Sequence, residues 1–65
     1  MKTIDEVIET LNKDSKCSKP MLDWVIYRIY DIENFSSGWN LSKIKNGYRL
    51  SYETYSFDYF YSSFV

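Results

Sequence analysis

Ile4, Val7, Ile8 and Leu11 recur at the i, i+3, i+4, i+7 spacing of one helix face, with Asp5, Glu6, Glu9 and Thr10 opposite. Thr3-Ile4-Asp5-Glu6 fits a capping box, in which the threonine hydroxyl accepts from the backbone N–H three residues on and the glutamate reaches back to the cap. The pattern predicts a helix over about residues 4–13. Polar, lysine-rich residues 12–19 carry no periodicity and read as a connection. Pro20 then suits a first helical turn, with Ser18 or Lys19 as cap. From there Leu22, Val25, Ile26, Ile29 and Ile32 form a stripe, and Asp23, Tyr27, Tyr30, Asp31 and Asn34 lie opposite. That predicts a second helix over about residues 20–33. The rival is a strand, favoured by the β-branched content, but strict alternation would place Arg28 on the face of Trp24 and Ile26.

Beyond Phe35-Ser36-Ser37-Gly38, the dipeptide Asn46-Gly47 signals a two-residue hairpin turn in which both positions take positive φ. With that loop, Lys45 pairs with Tyr48, Lys43 with Leu50, Leu41 with Tyr52 and Trp39 with Thr54. Trp39, Leu41, Tyr48, Leu50 and Tyr52 then share one face, and Asn40, Ser42, Ile44, Arg49, Ser51 and Glu53 the other. After Thr54 the residues Phe57, Phe60, Tyr61 and Phe64 return to helical spacing behind Ser56, so a short aromatic helix is expected at the C-terminus. The alternative is a third strand over 55–61 with Tyr55, Phe57, Tyr59 and Tyr61 on one face, which would also cover an edge of the hairpin. The fold class is therefore α+β: two N-terminal helices, an antiparallel β-hairpin and either a terminal helix or a third strand.

A chain of 65 residues holds one domain, spanning 1–65, and folds of that size bury only about 60% of the unfolded surface. No disulfide within the chain and no Cys/His zinc site can contribute, because Cys17 is the single cysteine and histidine is absent. An unpaired thiol suits a reducing cytoplasm. The opening residues lack the apolar run of a signal peptide, and no stretch approaches a membrane span, so a cytoplasmic protein without membrane contact is expected. Eight basic and nine acidic side chains leave a net charge of -1, which argues against an obligate nucleic-acid or anionic-membrane binder.

Without histidine the usual near-neutral general base is missing, and no glycine-rich phosphate loop or acidic calcium loop is present. Asp5, Glu6 and Glu9 suit the positive end of a helix dipole, and Cys17, between Lys16 and Lys19, reads as a bystander more readily than as a nucleophile. No enzyme activity and no cofactor are expected. Lys43, Lys45 and Arg49 gather three cations around the hairpin, open to nucleic acid, to an acidic protein, or simply to solvent as a soluble hairpin tip.

Aromatic residues make up 20% of the chain, and eight fall between Tyr48 and Phe64, more ring surface than so small a core can hide. Trp39, Tyr48, Leu50, Tyr52, Phe57, Phe60 and Phe64 account for a core against Ile4, Val7, Ile8, Leu11, Val25 and Ile29. Left over are Tyr27, Tyr30, Tyr55, Tyr59 and Tyr61, a residue type that suits surfaces dry when bound and wet when free. The sequence thus points to a protein-binding module, an inhibitor or adaptor with those tyrosines as its contacts and Lys43, Lys45 and Arg49 as a polar rim. Two alternatives stay open: a small nucleic-acid-binding regulator using the hairpin, and a self-associating protein whose aromatic surface closes a homo-oligomer. The Ile-, Lys-, Asn-, Ser- and Tyr-rich composition is similar in style to small factors encoded by bacteriophages and mobile elements, a likeness that identifies no family.

Overall fold

The computed structural model describes residues 3–36 and 38–64. Two helices, α1 (Ile4–Lys13) and α2 (Lys19–Glu33), precede three strands, β1 (Trp39–Ile44), β2 (Gly47–Tyr52) and β3 (Tyr55–Phe60), and a 3₁₀ turn closes the order at Tyr61–Phe64. The class is α+β, with the C-terminal segment adopting the third strand rather than the aromatic helix.

Each helix begins where its cap dictates. Thr3 accepts from the Glu6 amide at 3.2 Å, although the Glu6 carboxylate takes the threonine hydroxyl proton instead of reaching the cap amide. Ser18 accepts from the Met21 amide at 3.4 Å, with Pro20 in the first turn. The same Ser18 hydroxyl donates to the Phe64 carbonyl at 2.7 Å, so one side chain starts α2 and anchors the terminal turn. Residues 23–32 are helical despite their β-branched content, because Val25, Ile29 and Ile32 are wholly buried along one stripe with Leu22. Their burial outweighs a propensity difference of a few tenths of a kcal/mol per residue.

The sheet is antiparallel in the order β1-β2-β3. Trp39 pairs with Tyr52, Leu41 with Leu50, Lys43 with Tyr48 and Ile44 with Gly47, so the loop is Lys45-Asn46 and not Asn46-Gly47. Of Asn46 and Gly47, only Asn46 takes positive φ, at 64°. Gly47 is needed for a different reason: a Cβ there would overlap the backbone carbonyl of Tyr59 on β3. The shift from the expected register is two residues, which leaves every side chain on its expected face. Tyr55, Phe57 and Tyr59 extend the inner face, opposite Tyr52, Leu50 and Tyr48.

The helices cover that inner face. Val7 and Leu11 of α1 join Met21, Leu22, Val25, Ile29 and Ile32 of α2 over Trp39, Leu41, Tyr48, Leu50 and Tyr59. Phe57, Phe64 and Tyr61 are half-buried at its margin. Phe60, expected inside, lies on the outer face at 40% exposure because β3 continues straight through it.

Candidate functional site

The buried stripe of α2 dictates what its opposite face must show. With Val25, Ile29 and Ile32 turned to the sheet, Trp24, Tyr27 and Tyr30 are carried outward and are 56%, 71% and 58% exposed. Trp24 and Tyr27 meet edge to face, ring centroids 6.4 Å apart, a contact that holds both rings in place on the surface. Beside them a groove of about 520 Å³ runs between the helices, with Ile8, Leu22 and Ile26 as apolar floor and Tyr27 and Tyr30 along one wall. Ion pairs within each helix, Lys13 with Glu9 and Lys19 with Asp23, both 2.9 Å, sit toward the connected ends of the pair.

A second group of rings lies near the end of α2. Phe35 packs on Tyr52 at 5.8 Å, Tyr52 stacks on Phe57 at 6.0 Å and touches Tyr55 at 5.5 Å, and the Arg28 guanidinium sits 4.8 Å over Phe57. Phe35 and Tyr55 form its exposed margin.

The third group is internal. Asp14, in the α1–α2 connection, accepts from the Tyr61 hydroxyl at 2.6 Å, from Tyr48 at 2.9 Å and from the Lys16 amide at 3.0 Å. These donors, Tyr61 foremost, hold its carboxyl below the usual carboxylate range. Burial, and then the Asp14 charge, push the Tyr61 hydroxyl up to about 12 and Tyr48 higher still. The Lys43 ammonium lies 5.6 Å and 5.4 Å from the ring centres of Tyr48 and Tyr61. Burial raises the Cys17 thiol, with the Asp14 charge adding to the shift. Both tyrosines thus stay protonated near neutrality and their carboxylate is already satisfied, the arrangement of a structural clasp rather than of a poised acid or base.

The residues singled out in the sequence do not assemble into one patch. Tyr27 and Tyr30 share the outer face of α2, while Tyr55 begins β3. Tyr59 is 9% exposed and belongs to the core, and Tyr61 is half-buried with its hydroxyl spent on Asp14. Strand alternation explains the first, since the helical reading turned Tyr59 outward whereas β3 turns it inward; Tyr61 follows the strand in the 3₁₀ turn, where its hydroxyl reaches Asp14. Arg49 is held by both oxygens of Asp58, at 2.7 and 3.1 Å, on the outer face of the sheet. Lys43 bends back to donate to the Ile44 carbonyl at 2.8 Å, and Lys45 stands exposed in the hairpin loop, at the opposite end of the sheet from Tyr55.

Trp24 and Phe35 were not singled out, though Trp24 lies three residues before Tyr27 and so shares its helix face. Among the described residues no helix is long and apolar enough to cross a membrane, and no cluster of three or more His, Cys, Asp or Glu side chains is arranged to hold a metal ion. Compared with family models, with curated proteins and with solved structures, the chain shows no match.

Proposed function

We propose that this chain is a non-enzymatic protein-binding module, an inhibitor or adaptor of a larger protein in the cytoplasm, with the outer face of α2 as its contact surface. The observation that carries the reading is the exposure of Trp24, Tyr27 and Tyr30 on one helix, with Tyr27 and Tyr30 lining a groove of apolar floor and Trp24 packed on Tyr27. Lone exposed rings are ordinary, but contiguous Trp and Tyr beside a groove are the composition of binding hot spots.

The magnitudes favour a real but modest interface. A large aromatic side chain buries about 200 Å². Covering the exposed half of three such rings at about 25 cal/mol/Å² contributes about 7 kcal/mol. Association itself costs about 4–15 kcal/mol, so the groove floor and rim contacts have to supply the remainder of a micromolar affinity. A nucleic-acid role draws less support, since Arg49 is engaged by Asp58 and Lys43 by its own strand and two rings.

A photo-crosslinking side chain in place of Tyr27, with the same group at Ser42 on the outer sheet face as control, tests the surface. A discrete adduct with one protein of the source cell from position 27 and none from position 42 is expected. Equal, diffuse labelling from both positions refutes it.

A further inference from the structure

Resting on the reading of that face as a protein-binding surface, we infer that its partner is an amphipathic α-helix that lies in the α1–α2 groove and carries Lys or Arg where it meets Asp5 and Asp31. The groove floor is apolar and its walls are helices, whose backbone N–H and C=O groups are already bonded within each helix. An extended peptide laid there would find no backbone partners for its own amides and carbonyls. A helix satisfies its backbone internally and needs only an apolar stripe. Ile8, Leu22 and Ile26 take that stripe from below, and Tyr27 and Tyr30 close on its flank.

Charge selects the sign of the partner. Between Thr3 and Asn34 the chain holds seven carboxylates against the four cations Lys13, Lys16, Lys19 and Arg28. Lys13 and Lys19 are consumed by Glu9 and Asp23, and Arg28 lies over Phe57. Asp5 and Asp31 have no cationic partner among the described residues. Helix geometry sets Asp5 one turn before Ile8 and Asp31 one turn after Tyr27. The five-residue connection between α1 and α2 turns the chain back on itself, so the beginning of α1 and the end of α2 form the same end of the groove. Among the described residues that end carries Asp5 and Asp31, while the connection end carries Lys13, Lys16 and Lys19. A second copy docked with its groove parallel about a two-fold axis would bring the like-charged ends together, whereas an antiparallel copy would not, so dimerisation is one outcome of the test.

The test uses two fluorescently labelled peptides of about eighteen residues, five helical turns. Both carry Leu and Ile at i, i+3, i+4, i+7 spacing; one has Lys and the other Glu over the remaining positions. Fluorescence anisotropy with the full chain at low salt is expected to give about five- to tenfold tighter binding of the Lys peptide. The preference should shrink toward unity at about 0.5 M salt and disappear in the D5N/D31N variant, whose helicity is checked by circular dichroism. Y27A should weaken both peptides. Equal affinity for the two peptides, or a preference that survives D5N/D31N, overturns the basic partner while Tyr27-dependent binding leaves the α2 surface standing. Binding of neither peptide, with the position-27 cross-link still forming, overturns the helical partner alone. Loss of that cross-link as well removes the surface itself, and concentration-dependent dimerisation abolished by Y27A would assign the groove to a second copy.

Discussion

Removing the Asp14 carboxylate should cost this fold far more than a surface acid would, and the cost should be shared with two tyrosines. Asp14 accepts hydroxyl hydrogen bonds at 2.6 and 2.9 Å from residues 47 and 34 positions away, joining the α1–α2 connection to the terminal turn and to β2. A hydrogen bond to a charged acceptor contributes about 1.5–3 kcal/mol. Asp14 is only half-buried, so the lower figure applies: Y61F and Y48F are each expected to cost about 1.5 kcal/mol, and D14A about 3 kcal/mol. In the D14A background Y61F should then cost little, a coupling of about 1 kcal/mol or more. The pH dependence has a definite sign. The folded carboxyl sits below its ordinary value, so the stabilisation is complete above the unfolded carboxylate range and is lost as pH falls through the folded value. Urea unfolding followed by circular dichroism at about pH 7 and about pH 3 measures all of this, with m-values required to match. Additive losses for Y61F and D14A, or an acid sensitivity unchanged by D14A, would refute the clasp.

G47A should lose about 3 kcal/mol or more by thermal denaturation, since the new methyl group meets backbone rather than a yielding side chain, whereas G38A, whose added Cβ comes no nearer than 4.0 Å to the Ser36 hydroxyl, should stay within about 0.5 kcal/mol. Glu53 holds φ at 52° in the β2–β3 loop, and E53N is expected to stabilise the fold by about 0.5–1 kcal/mol, seen as a rise in Tm of several degrees. Cys17 should alkylate more slowly at about pH 7 in the folded chain than in urea, because burial and Asp14 both disfavour its thiolate; an equal rate would show that the thiol is open to solvent.

The helices were legible because cap and stripe agree at each: Thr3 with Ile4, Val7 and Leu11, and Ser18 and Pro20 with Val25, Ile29 and Ile32. The faces of the hairpin were legible for a similar reason, since alternation survives any even shift of register. The loop position was not. Asn46-Gly47 is a turn signal when read locally, but Gly47 answers to the close passage of Tyr59, a residue twelve positions later that the dipeptide cannot reveal. The tail misled because Phe57, Phe60, Tyr61 and Phe64 satisfy helical spacing while Tyr55, Phe57 and Tyr59 satisfy strand spacing. Pairing with β2 decided between them. Of the surface, Tyr27 and Tyr30 could be found from the polar side of α2, and Trp24 could have been, by the same three-residue step. The Asp14 clasp could not, because it depends on three elements meeting.

Ser18 has an implication for the order in which the molecule forms. Its hydroxyl takes a proton-donor contact from Met21, three residues away, and gives its own proton to Phe64, 46 residues away. The near contact can assemble with the nascent helix, but the far one requires almost the whole topology to be in place. Phe64 therefore latches last, and cutting that latch should quicken the loss of native structure while hardly slowing its acquisition.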